Sequence, residues 1–214
     1  MIALLVVLTF LAAVLIDHLV NRNPIPIAEP KVLPMKMAPR LTPAVVAGFK
    51  VPDNLLYHVG HTWALAESPQ LVRIGLDDLA AKVAGPVDTI DVPERGQWIR
   101  QGQKIIAMHH DGRDLELLSP IEGAIVSINE KVLRDPELAR KDPYGEGWLM
   151  TVNSPDATTN FHNLLRGSVA RRWMEDSALK LRGAGAMAQD GGLALDAVVD
   201  AADFERIKEE VFLT

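Results

Sequence analysis

The side chains best suited to chemistry in this 214-residue chain are histidines and carboxylates set in two short stretches. His109 and His110 lie in the run IIAMHHDGRDLELL, Ile105 to Leu118, with Asp111, Asp114 and Glu116 close behind. His58 and His61 form a second pair. Imidazoles can ligate a metal or carry a proton near neutral pH. Adjacent residues on a strand, however, face opposite sides, so His109 and His110 cannot readily share one ion. Acid–base work by the carboxylates would need a buried partner, and none is evident. These residues are therefore read as the polar edge of a hairpin, and no metal site is expected. The chain has no cysteine, which excludes disulfides, thiolate metal sites and thiol catalysis. No nucleophile motif is present, and Gly183–Gly192 lacks the strand and lysine of a phosphate-binding loop. The chain does not read as an enzyme.

The elements that position these residues are short. Alternating apolar runs predict strands at Thr62–Ala66, Leu71–Gly75, Val87–Val92, Lys104–His109, Asp114–Leu118 and Ala124–Ile128. Asp111-Gly112 is a strong two-residue hairpin signal, because glycine accepts a positive φ without cost. Asp77–Ala84 and Pro136–Lys141 predict short helices. From Thr159 to about Leu181, apolar residues at helical spacing predict a helix or a pair broken near Gly167. A glycine-rich joint (183–193) and a last helix within 194–214 follow, with Asp200 as N-cap and Phe204, Ile207 and Val211 on one face. Many short strands with small helices indicate a mainly β barrel or sandwich.

Two further segments precede this body. Ile2 to Val20 carries no charge before Asp17, and its nineteen residues span roughly 28 Å at ~1.5 Å each. It lacks the basic start and small-residue cleavage site of a signal peptide, so 1–20 is expected to be a transmembrane anchor contacting lipid. Arg22, Lys31, Lys36, Arg40 and Lys50 all follow the span, which predicts a cytoplasmic location for the rest. Seven prolines in 21–53 predict a semi-rigid stalk. It contains Met35-Lys36-Met37, similar to a biotin-acceptor tripeptide, but Pro34 and Pro39 preclude the packed hairpin that such an acceptor requires. The net charge of −6 argues against nucleic acid. Arg166, Arg171 and Arg172 beside Trp173 are read as a solvated helix face rather than a lipid contact.

The segment 54–157 resembles the glycine cleavage H protein family. The resemblance rests on His61-Thr62-Trp63, Gly75-Leu76 with the helix up to Gly85, and Val92-Pro93-Glu94-Arg95-Gly96 with Gly102. It is strongest from Ser119 to Met150. There Ser119-Pro120 leads to Gly123, Asn129 to Leu133 and Pro136 to Leu138, and Asp142-Pro143-Tyr144-Gly145-Glu146-Gly147-Trp148 closes the series. The resemblance implies a barrel-sandwich hybrid, as in lipoyl domains, and a core place for Trp148. It also implies a carrier whose lipoate is held in amide linkage by a lysine eight residues before the proline of Ser-Pro. Counting back from Pro120 gives Gly112, flanked by Asp111 and Arg113, and none of the three has an amine side chain to acylate. The nearest lysines are Lys104 and Lys131. Lipoate is therefore not expected as a cofactor. The expected function is that of a membrane-tethered docking or structural subunit, with other subunits of a membrane complex as partners. The alternative is an atypical carrier serving a membrane oxidoreductase.

Overall fold

The computed structural model describes residues 43–184 and 201–212. The expected anchor, the stalk up to Thr42, Lys36, most of the glycine-rich joint and Asp200 lie outside them. Among the described residues no helix is long and apolar enough to cross a membrane.

Eleven strands form three sheets among the described residues. β1 (Ala44–Val46) and β2 (Phe49–Val51) make a hairpin. Six strands pair in the order β3 (Leu56–Tyr57), β4 (Thr62–Ala66), β5 (Leu71–Leu76), β11 (Met150–Asn153), β10 (Gly123–Ile128) and β7 (Trp98–Ile99). The third sheet places β8 (Lys104–His110) between β6 (Thr89–Asp91) and β9 (Arg113–Leu118). Alternation sets which residues go inside: on β8 and β9, Ile106, Met108, Leu115 and Leu117 are buried while His109, Asp114 and Glu116 face outward. They join Val72, Ile74, Leu76, Ile99, Ile125 and Val152 in one core.

Short helices close the body. α1 (Asp78–Val83) is capped by the Asp77 carboxylate, which accepts from the Ala80 amide. α2 (Glu130–Arg134) and α3 (Glu137–Lys141) precede β11, and α4 (Ala157–Phe161) and α5 (Gly167–Gly183) follow it. The expected break near Gly167 is the start of α5, where φ is +56°. α6 (Ala201–Ile207) runs into a π-helical turn, Lys208–Phe212.

Two expectations are corrected. The stalk does not extend to residue 53, because β1 and β2 occupy Ala44–Val51 and bury Phe49 and Val51. Pro43 and Pro52 flank this hairpin and interrupt none of its pairs. Trp148 is only partly buried, with the Arg73 guanidinium 5.0 Å above its ring. The core tryptophan is Trp63, whose indole Nε1 donates to the Pro143 carbonyl. Gly75 lies against that ring so closely that a Cβ would sit 2.6 Å from it.

Candidate functional site

The hairpin of β8 and β9 turns as its sequence predicts. His110 pairs with Arg113, and the loop is Asp111-Gly112 with φ of +47° and +75°. Positive φ at both central residues is a primed turn, which matches the strand twist. Asp111, Gly112 and Arg113 are all exposed, and nothing approaches a Cβ built on Gly112. The tip therefore presents a carboxylate, a bare backbone and a guanidinium. Lys104 stands at the other end of β8, roughly 20 Å of strand away, and its Nζ donates to Glu116. Lys131 pairs with Glu146 on another part of the surface.

The two tip histidines are held by separate carboxylates. His109 Nδ1 lies 2.6 Å from Asp114 and its Nε2 3.2 Å from Asp91. The hydrogen bond to Asp114, helped by Asp91, raises the His109 pKa above the ordinary imidazole value. His110 Nδ1 lies 3.1 Å from Asp88. Asp91 ends β6 and Asp88 lies just before it, and their pairing with the histidines across the sheet is not encoded by local alternation. Among the described residues, no three or more of His, Asp and Glu come together in a way that could hold a metal.

The other two histidines serve the interior. His58 Nδ1 accepts from the Gly60 amide, and burial, with the nearby His61, lowers its pKa. His61 is fully buried at a φ of +61°, with Nδ1 2.8 Å from Asp77. Its ring stacks on Trp173 at 4.5 Å between centroids and meets Phe212 at 5.1 Å. His61 Nε2 has no hydrogen-bond partner. Sequence reading missed this pair, because its members stand sixteen positions apart and Asp77 reads as a helix cap. It is both at once: one carboxylate oxygen caps α1 and the other holds the imidazole.

The remaining motif residues are structural. The Asn129 side-chain amide donates to the Glu146 and Trp148 carbonyls and its oxygen accepts from the Lys131 amide, pinning α2 to the Asp142–Trp148 segment. Tyr144 Oη donates to the Lys50 carbonyl and accepts from the Asp78 amide. Burial raises the Tyr144 pKa well above the phenol range. Of the three arginines noted in the sequence, Arg171 is tied to Asp53 at 2.5 Å, while Arg166 and Arg172 are exposed.

Comparison with known proteins places this body in a family. The sequence model of the family described as Glycine cleavage H-protein matches residues 55–177, more than half of the chain. The chain is 32% identical over 132 residues to the probable glycine cleavage system H protein 2 of Sulfurisphaera tokodaii. That match covers 59% of this chain and 87% of the relative. It is 34% identical over 106 residues to the glycine cleavage system H protein of Bifidobacterium longum, covering 50% and 77%. The crystal structure of a glycine cleavage system H protein from Mycobacterium marinum superposes with a TM-score of 0.51 at 24% identity, covering 59% of this chain and 98% of that one. That last likeness bears on the fold. The β1–β2 hairpin and the C-terminal α6 fall outside the family match. On the match over residues 55–177, the chain belongs to the glycine cleavage H-protein family.

Proposed function

We propose that this chain is a non-lipoylated member of its family, tethered to a membrane through residues 1–20 and acting as a docking or structural subunit of a membrane complex. The observation that carries this reading is the hairpin tip. Its primed turn is intact, yet Asp111, Gly112 and Arg113 offer no primary amine for an amide-linked lipoyl arm. Lipoate does not fit the residues present at this tip, where an amide-linked arm has no point of attachment. The two histidines beside the tip are already hydrogen-bonded, His109 to Asp91 and His110 to Asp88. The uncharged run before Asp17 and the basic residues after it support the anchor and a cytoplasmic domain.

The test is intact-mass measurement of the full chain, purified in detergent and incubated with lipoate and a lipoate ligase. No lipoyl mass should appear. A gain of one lipoyl group would overturn this reading in favour of a carrier serving a membrane oxidoreductase.

A further inference from the structure

One side of α5 packs on the body and the other is open. The inner side buries Ala170, Met174, Ser177, Ala178 and Leu181. The outer side carries Val169, Arg172, Asp176 and Leu179, spaced three, four and three residues apart, which is the stripe of a heptad seam. Val169 is 59% exposed and Leu179 54%, and Arg172 and Asp176 are exposed with them. Beyond the stripe, nothing lies within 4 Å of a Cβ built on Gly183. The C-terminal segment packs elsewhere, with Phe204 by the Arg113 guanidinium and Phe212 against His61.

The order of the stripe says what fits it. Val169 and Leu179 are equidistant in sequence from Met174, and so are Arg172 and Asp176. Two copies of α5 laid antiparallel across a two-fold axis at Met174 therefore set Val169 against the second copy's Leu179. The same axis sets Arg172 against the second copy's Asp176, and each contact occurs twice. Apolar meets apolar, and cation meets carboxylate. In a parallel pair each residue would instead meet its own copy, so that Arg172 faced Arg172 and Asp176 faced Asp176, which is repulsive. Arg172 and Asp176 stand one turn apart on the same helix, yet neither forms an ion pair among the described residues. Both charges are available to a second copy.

We infer that the outer stripe of α5 is an isologous interface between two copies of this chain, packed antiparallel about Met174. The 17 residues of α5 make a helix ~25 Å long. A face of that length and ~10 Å wide covers roughly 250 Å² per copy, well under the ~800 Å² of a standard interface. The pair is therefore weak in dilute solution and forms where copies are concentrated. The membrane tether proposed above would concentrate them, although the interface does not depend on it.

The test uses the full chain in detergent, where the absence of cysteine makes every introduced thiol unique. Val169→Cys and Leu179→Cys chains, mixed at high concentration, should form a disulfide between positions 169 and 179 under mild oxidation. Neither chain alone should cross-link, because like positions then lie ~15 Å apart along the helix pair, too far for a disulfide. Arg172→Asp and Asp176→Arg should each weaken self-association at least tenfold, read by sedimentation equilibrium, with the melting temperature unchanged. A mixture of those two variants should restore pairing, since each again meets the opposite charge. Cross-linking of the Val169→Cys chain with itself would overturn the antiparallel order. A chain monomeric at every concentration, self-association unchanged in Arg172→Asp, or a mixture that fails to restore pairing would overturn the interface. Lipoyl mass on the chain would sink the docking reading while leaving the pairing result as it stands.

Discussion

At the tip, three residues decide what the hairpin can carry. Replacing Gly112 by lysine restores an amine where the fold still presents an exposed turn, so Gly112→Lys is expected to accept lipoate from a ligase, read by intact mass. A side chain at a φ of +75° is strained, which should cost about 1–2 kcal/mol. An unmodified Gly112→Lys chain that remains folded would show that the hairpin no longer offers the ligase a usable surface. His109 gives a prediction in pH. Its folded pKa is raised by Asp114 and Asp91, so the folded state favours the imidazolium. The stability that His109 adds is therefore complete below the unfolded pKa of ~6.5 and is lost as pH rises through the raised folded value. The melting difference between the wild type and His109→Gln should shrink over that interval, and Asp114→Asn should bring the imidazole titration, followed by NMR, back toward ~6.5. A difference constant from pH 5 to 8 would contradict the pairing. Trp63 and Trp148 separate burial from motif membership. Trp63→Ala should cost about 3–5 kcal/mol, and Trp148→Ala clearly less, because only Trp63 is fully enclosed.

Several elements were legible from sequence, for identifiable reasons. Asp111-Gly112 between alternating runs can hardly be anything but a two-residue hairpin, and the structure pairs His109 with Asp114 across it. Asp77 announces α1, and Gly167 the start of α5. β3 and β7 escaped because two-residue strands carry no period. β1 and β2 are hidden in the sequence by the flanking Pro43 and Pro52, although Phe49 and Val51 alternate about Lys50. The His61–Asp77 pair and the resting place of Phe204 are tertiary facts that no local pattern encodes. The corrected boundary has a measurable consequence. A chain beginning at Leu41 should melt cooperatively, whereas one beginning at Pro52 exposes the surface that Phe49 and Val51 cover and should be less stable. Each of those two side chains is worth about 1.5–3 kcal/mol of burial, so differential scanning calorimetry should resolve the shift. Equal melting temperatures would mean that the hairpin lies on the body without stabilising it.

At the scale of the whole molecule, the family body explains only the middle of the chain. Beyond 55–177 the sequence adds an apolar N-terminal run, a proline-rich stretch, the β1–β2 hairpin and the C-terminal segment. If the protein were a freely diffusing carrier, an uncharged run up to Asp17 would be a liability, because exposed apolar surface promotes association. The proposed lipid-embedded helix would remove that liability and would confine the domain near its partners, raising their effective concentration without any new contact. The expected outcome is that the full chain sediments with membranes, resists carbonate extraction and is released by detergent. With the basic residues on the C-terminal side of the span, protease added to intact cells should leave the β body uncut, and permeabilised cells should lose it. Deleting residues 1–20 should move the protein to the soluble fraction with its melting temperature unchanged, since the body closes its own core. Full-length protein recovered in the soluble fraction would sink the anchor. Cleavage in intact cells would reverse its orientation and place the docking partner on the other side of the membrane.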